Sequence, residues 1–130
     1  MEKEFINSSL GFSHVATTTA NGVKTIYIAG QVGLEEGAAE PGEDLAAQAA
    51  IAFGNVLRQL EAAGAGKQDL LKTNVFIKDI DPDKVRIVGR AQAKVLQLDP
   101  MPVSTWVGVT GLVYPALLIE VEAMAVVAAK

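Results

Sequence analysis

Cysteine is absent from this chain, and histidine occurs once, as His14. Without thiols no disulfide can form, and one imidazole among scattered acids gives no cluster with the ligand spacing of a metal site. No apolar run approaches the roughly 20 residues that span a bilayer. The first residues, Met1 to Phe5, mix charges and lack the apolar core of a secretion signal. We therefore expect a cytoplasmic protein with no metal and no membrane segment.

An excess of basic residues is also missing. Lysine and arginine number 11 against 15 acids, which gives a net charge of −4, and the cations are dispersed along the chain. Nucleic-acid binding depends on clustered cations that neutralise phosphates, so the charge disfavours such a partner. The segment AGAGKQD follows a predicted helix instead of opening one, and it lacks the spacing of a phosphate loop. The sequence predicts no cofactor.

Turn and capping residues mark the elements of the first half. The segment SHVATTTANGVKTIYIAG reads as two strands around Asn21-Gly22, a pair that tolerates positive φ and indicates a hairpin. The acidic segment EEGAAEPGED, with its glycines and proline, follows as a surface loop. Helical spacing of apolar residues then predicts a first helix from Asp44 to Ala63, with a stop at Gly64.

The second half reads as a strand, a helix and two further strands. Alternation in LLKTNVFIKDI predicts the third strand, and its buried side is Leu71, Thr73, Val75 and Ile77. Asp81-Pro82 predicts the start of a second helix that ends before Pro100. The apolar stripe of this helix is Val85, Val88, Ala91, Val95 and Leu98. The segment from Pro100 to Val126 supplies the last two strands.

This order, ββαβαββ, predicts one α+β domain with two helices on one face of a mixed sheet. In the fourth strand we expect the helices to cover Val103, Thr105, Val107 and Val109, which leaves Ser104, Trp106 and Gly108 on the other side. In the fifth strand we expect them to cover Ile119, Val121, Ala123 and Ala125. The uncovered side then holds Trp106, Leu118, Glu120, Glu122, Met124 and Val126. So much apolar surface predicts that a second subunit packs there.

Four segments resemble those of a known family: Phe12-Ser13-His14, IAGQVG, KTNVFIKDI and above all LLIEVEAMAV. The family is the reactive intermediate deaminase (Rid) family, also called the YjgF family, and the resemblance extends along nearly the whole chain. It implies a single RidA-like domain over residues 1–130 with a chorismate-mutase-like subunit. It also implies a homotrimer that binds a small-molecule ligand in clefts between subunits.

The resemblance further implies an activity. In the best-known branch of the family, the cleft hydrolyses 2-imino or enamino acids to 2-keto acids and ammonia without metal or cofactor. An arginine clamps the substrate carboxylate, and an acid that matches Glu120 positions the attacking water. The positions that match the substrate-binding residues are Phe12, Ala29, Gly30, Gln31, Ile87, Ser104 and Trp106.

Several of these positions depart from the family pattern. The clamp arginine falls at Ser104, while Phe12, Ala29, Ile87 and Trp106 replace a tyrosine, a serine, an asparagine and a cysteine. Gly30, Gln31 and Glu120 remain. The chain therefore resembles an arginine-lacking branch whose ligand is uncharged, larger and aromatic, or absent, with Trp106 as a flat apolar wall. Arg90 and Lys94 are the nearest cations that could replace the clamp.

Three functions remain open on these residues: a cofactor-free imine or enamine hydrolase, a small-molecule binding protein without chemistry, and an RNA-directed activity. Structural roles are open as well. Trp106 could be packing, His14 could be a hydrogen-bonded structural residue, and Glu120 and Glu122 could accept hydrogen bonds from another subunit.

Overall fold

A computed structural model describes residues 1–9 and 11–129, in which two helices pack on one face of a six-stranded mixed sheet. The strands are β1 (Glu2–Ser9), β2 (Phe12–Ala20), β3 (Val23–Val32), β4 (Leu70–Lys78), β5 (Val103–Val109) and β6 (Ile119–Ala128). The helices are α1 (Leu45–Ala62) and α2 (Pro82–Leu96), and a short 3₁₀ turn, Lys67–Asp69, precedes β4. The predicted α+β class with two helices on one sheet face is confirmed.

The strand order across the sheet is β1-β2-β3-β6-β4-β5. Neighbouring strands are antiparallel except β4 and β5, which α2 connects as a parallel pair. No helix within the described ranges is long and apolar enough to cross a membrane.

Capping and turn residues set the element ends where the sequence predicts them. The Asp44 side chain accepts a hydrogen bond from the Ala47 amide at 2.9 Å, and Asp81 does the same for the Lys84 amide at 2.8 Å. Each cap satisfies an amide that has no partner inside its helix. The predicted hairpin is confirmed, since Asn21 and Gly22 adopt φ values of 53° and 78° between β2 and β3.

The core lies between the helices and the covered side of the sheet. Phe53, Val56 and Leu60 of α1 and Val88 of α2 are fully buried against it. The predicted inner side of the last strand is confirmed, because Ile119, Val121, Ala123 and Ala125 are buried. This apolar contact is the main stabilising contribution to the fold.

One strand was missed from the sequence. β1 pairs antiparallel with β2 from Glu2↔Thr19 to Ser9↔Phe12, so the observed order contains six strands instead of five. Its residues, EKEFINSS, place Phe5 and Ile6 side by side and do not alternate. As an edge strand packed on one neighbour, β1 needs little apolar patterning.

The predicted sides of β5 are reversed. Trp106 pairs with the buried Val75 and packs against the core, so the helix side of β5 carries Ser104 and Trp106. Val103, on the opposite side, is 65% exposed. Both sides of VSTWVGV contain large apolar residues, so alternation alone could not decide between them.

Two members of the predicted apolar stripes are also exposed. Leu71 lies at a register shift between Leu70 and Lys72 and is 52% exposed, while Leu70 takes the buried position. Val85, in the first turn of α2, is 41% exposed. The rest of the two stripes is buried or partly buried against the core.

The sheet face opposite the helices carries no covering element within the described residues. Its exposed apolar side chains come from several strands, and they include Phe5, Tyr27, Val103, Val107 and Val126. Glu120 and Glu122 lie on the same face, because their neighbours Val121 and Ala123 point under the helices.

Candidate functional site

The sheet opens between β2 and β3 at one end. The β2–β3 pairing stops at Val15↔Ile28, although β2 begins at Phe12 and β3 continues to Val32. On its other side, β3 pairs with β6 at Ile28 and next at Gln31, which leaves Ala29 and Gly30 as a bulge. The two unpaired strand ends therefore diverge and form the walls of a cleft.

The cleft has a volume of about 1110 Å³ and is open to solvent. Its walls come from the ends of β1, β2 and β3, the loop after β3, the polar side of α1, and Glu120 of β6. Five of the eight predicted site residues line it together: Phe12, Ala29, Gly30, Gln31 and Glu120.

The carboxyl group of Glu120 lies directly against the backbone of Gly30. A Cβ built on Gly30 would overlap the Glu120 carboxyl group, so only glycine leaves room for this contact. Burial raises the pKa of the Glu120 carboxyl group above its ordinary value of 4.5, and the charge of Glu122 adds a smaller contribution in the same direction. A carboxyl group with a raised pKa exchanges protons more readily near neutral pH, which suits general acid–base chemistry.

Gln31 and His14 form a hydrogen-bonded pair at the cleft wall. The Gln31 Nε2 atom donates to the Ala29 carbonyl oxygen and lies 3.0 Å from His14 Nδ1. Because the bond to Ala29 identifies Nε2 as the amide donor, His14 Nδ1 is the acceptor and the ring proton sits on Nε2. The Phe12 ring contacts the imidazole edge-on, with a centroid separation of 5.0 Å. The cleft therefore presents a fixed imidazole.

Asn55 and Arg58 of α1 bring further polar groups to the cleft. Asn55 Nδ2 donates to the carbonyl oxygens of Val32 and Leu34, both at 3.0 Å, and so ties α1 to the end of β3. One turn along the helix, Arg58 Nη1 lies 2.9 Å from Glu36 Oε2. Arg58 is the only lysine or arginine among the described residues that line the cleft.

Sequence reasoning missed the α1 contribution to this site. Asn55, Arg58, Gln59 and Ala62 recur at helical spacing, and all four line the cleft. Asn55 and Gln59 are buried, although they are polar. The sequence did contain a signal for this contribution, because Asn55 and Gln59 interrupt an apolar helix stripe and buried polar groups need hydrogen-bond partners.

Glu122 lies outside this cleft. Its Oε1 atom accepts a hydrogen bond from Asn74 Nδ2 at 2.9 Å, and it lines a separate pocket of about 260 Å³ with Tyr27 and Met124. Its relation to the cleft is electrostatic, through the charge that it places near Glu120.

The remaining predicted site residues lie elsewhere in the chain. Ile87 is on α2, and Trp106 approaches Gly89 of that helix. The Ser104 hydroxyl accepts a hydrogen bond from Trp106 Nε1 at 2.8 Å and shares another, also of 2.8 Å, with Thr73. Ile87, Ser104 and Trp106 do not line the Glu120 cleft of their own chain.

Arg90 and Lys94, the cations considered as replacements for the clamp, are exposed on α2 and do not line the cleft either. Within residues 1–9 and 11–129, no group of three or more acid or histidine side chains is placed to hold a metal ion.

Solved structures with this architecture cover nearly the whole chain. A YjgF/YER057c/UK114 family member from Mycobacterium tuberculosis is 27% identical, with a TM-score of 0.76 over 97% of this chain and 100% of that one. RidA from the Antarctic bacterium Psychrobacter sp. is 26% identical, with a TM-score of 0.78 over 92% and 91%. The Rid family protein YyfB from Yersinia pestis is 28% identical, with a TM-score of 0.72 over 98% and 100%.

Comparison with curated protein sequences gave no match. A family model described as Endoribonuclease L-PSP matches residues 3–127. This match takes in most of the chain, and solved relatives of the same fold carry the names YjgF and Rid. The chain therefore belongs to the Endoribonuclease L-PSP family, which is also the YjgF or Rid family.

Proposed function

We propose that the protein is a cofactor-free hydrolase that converts a reactive imine or enamine to a carbonyl compound and ammonia. The observation that carries the proposal is the Glu120 carboxyl group, partly buried in an open cleft and held against the Gly30 backbone. The raised pKa of Glu120 suits a group that must both accept and return a proton.

The proposed chemistry has two steps. Water adds to the imine carbon while the Glu120 carboxylate accepts one of its protons and passes that proton to the imine nitrogen, which gives a neutral carbinolamine. The Glu120 carboxylate then accepts the proton of the carbinolamine hydroxyl group and delivers it to the nitrogen as the carbon–nitrogen bond breaks, and the carbonyl product and ammonia depart. Glu120 thereby returns to its starting state, so the cycle consumes only imine and water.

A homotrimer is part of the proposal. The apolar side chains on the uncovered sheet face, among them Phe5 and Val103, support burial of that face against further copies of the chain. Ile87, Ser104 and Trp106 do not line the cleft of their own subunit, so in the proposed trimer they contribute to a cleft only from a neighbouring copy. Light scattering tests this assembly: a mass three times 13.6 kDa is expected, and a mass near 13.6 kDa would refute it.

The hydrolase is tested by an assay in which an oxidase generates imines in situ and the formation of carbonyl product and ammonia is followed. Wild-type protein should accelerate both. Glu120→Gln should abolish the acceleration while the mass by light scattering stays unchanged. Glu61→Gln, which changes an exposed acid of α1, is the control and should behave as wild type. Full turnover in Glu120→Gln would remove Glu120 from the mechanism.

A binding protein without chemistry is the second candidate. The observation in its favour is that Ser104, at the position matching the clamp arginine, engages Thr73 and Trp106 through its hydroxyl. This alternative predicts that a ligand raises the melting temperature without being converted, because binding only to the folded state stabilises that state.

An RNA-directed activity is favoured by the family description, which names an endoribonuclease. The net charge of −4 weighs against it, as does the presence of one arginine and no lysine among the described residues of the cleft, since RNA binding requires several phosphate contacts. Cleavage of a single-stranded RNA that weakens with rising salt would support it, whereas no binding at low salt would dispose of it.

A further inference from the structure

The walls of the Glu120 cleft are acidic. Among the described residues that line it, three carry carboxyl groups, namely Glu35, Glu36 and Glu120, and Arg58 is the only lysine or arginine. An excess of negative charge lowers the concentration of anions in a cleft and raises that of cations. The family's usual substrate carboxylate would therefore meet an unfavourable potential.

The Arg58 guanidinium already has an acidic partner. Arg58 Nη1 lies 2.9 Å from Glu36 Oε2, so an acid of the same cleft neutralises its charge. A substrate carboxylate would therefore compete with Glu36 for the Arg58 guanidinium. Neither Arg90 nor Lys94 lines the cleft of its own chain to compensate.

The region around the reacting acid disfavours a second anion as well. Glu120 and Glu122 are neighbours on the same side of β6, and their charges repel each other. A ligand carboxylate beside Glu120 would add to this repulsion, whereas a protonated imine would relieve it, because opposite charges attract most strongly where water is partly excluded.

We infer that the substrate is an imine without a carboxylate, neutral or protonated, of the kind that oxidation of a primary amine produces. The inference rests on the proposed hydrolase function and specifies its substrate class. The reaction is R₂C=NH₂⁺ + H₂O → R₂C=O + NH₄⁺, in which both proton count and charge balance. An amine-oxidising reaction would supply this substrate.

A matched pair of imines tests the inference. An amine oxidase acting on phenylethylamine and an amino acid oxidase acting on phenylalanine generate imines that differ only in the carboxylate. The protein should accelerate hydrolysis of the amine-derived imine at least about tenfold more than that of the imino acid, since each factor of ten corresponds to about 1.4 kcal/mol of discrimination. Equal or greater acceleration of the imino acid would overturn the charge inference and leave the hydrolase standing. Acceleration of neither imine would overturn both.

Two variants test the role of the Arg58–Glu36 pair. Glu36→Gln removes a negative charge and releases Arg58, so acceleration of the imino acid should rise about threefold to tenfold. Arg58→Gln should lower it. The matched control is Arg86→Gln on α2, because Arg86 Nη1 also lies 2.9 Å from an exposed acid, Asp83, and neither residue lines the cleft. An unchanged ratio between the two imines in Glu36→Gln would overturn the argument from charge.

Discussion

The Glu120 carboxyl group occupies the space into which a side chain at residue 30 would point. Gly30→Ala should therefore displace Glu120 and lower the free energy of unfolding by about 1–3 kcal/mol, as overpacking usually does. Imine hydrolysis should fall with it, since the acid would leave its position. Urea unfolding and the coupled assay measure the two effects.

The control for Gly30→Ala is Gly54→Ala in α1, where an added Cβ meets nothing within 4 Å. That variant should raise the free energy of unfolding by about 0.5–1 kcal/mol, because alanine is the better helix former. Adding Glu120→Ala to Gly30→Ala should restore most of the lost stability, since it removes the other partner of the overlap. Additive effects of the two changes would contradict the proposed contact.

The raised pKa of Glu120 predicts a specific pH dependence of stability. As pH rises above 4.5, the unfolded chain releases the Glu120 proton before the folded chain does, so the free energy of unfolding falls until the folded-state pKa is passed. In Glu120→Gln this fall in the free energy of unfolding is absent, because glutamine does not titrate. The stability of Glu120→Gln relative to wild type should therefore increase with pH through that window and then stay constant. Urea titrations from about pH 4 to about pH 8 measure the difference.

Glu122→Gln provides the second arm of the pH experiment. It removes the charge that is the smaller cause of the shift, while its side-chain oxygen can still accept from Asn74. The pKa of Glu120 should move toward 4.5, and the fall in stability with pH should shrink. Parallel stability curves for wild type and Glu120→Gln would show that Glu120 titrates alike in the folded and unfolded chains.

In the neutral imidazole of His14 the ring proton should lie on Nε2, because Nδ1 accepts the hydrogen bond from Gln31 Nε2. As the only histidine, it gives one pair of ring-nitrogen resonances, so nitrogen NMR assigns the tautomer directly. Gln31→Met keeps the length of the side chain but removes the donor, and the tautomer should then become mixed. Gln68→Met, an exposed position, serves as control. A proton on Nδ1 in wild type would contradict the hydrogen bond from Gln31.

Gln48 should be among the most costly polar side chains to replace. It is buried, donates to the carbonyl oxygens of Gly42 and Ala116, and accepts from the Leu118 amide at 2.8 Å. Gln48→Leu would leave these backbone groups unpaired, so we expect a loss of about 2–4 kcal/mol in the free energy of unfolding. A loss below about 1 kcal/mol would mean that water satisfies these groups.

Local rules predicted both helices and the central hairpin because single residues decide them. Asp44 and Asp81 cap the helices, Gly64 ends α1 with a φ of +83°, and Asn21-Gly22 forms the turn. These devices act on neighbouring amides and need no tertiary partner. For that reason the sequence alone predicts where these helices and this turn begin and end.

Edge strands and the far wall of the cleft were harder to predict because they depend on contacts between distant parts of the chain. β1 is held by pairing with β2, and the sides of β5 follow from its register with β4. The resemblance located Gly30, Gln31 and Glu120 together, whereas the pairing of Arg58 with Glu36 spans 22 residues and follows from the way the loop returns to α1. Sequence spacing carries no signal for such a contact.

The bulge at Ala29 and Gly30 opens the cleft by interrupting strand pairing, and the packed core is not interrupted. Core residues such as Phe53 and Val56 do not line the cleft. Substitutions in the cleft lining should therefore have little effect on the core contacts that fold the chain. Changes of specificity in this scaffold should rarely need compensating mutations in its core.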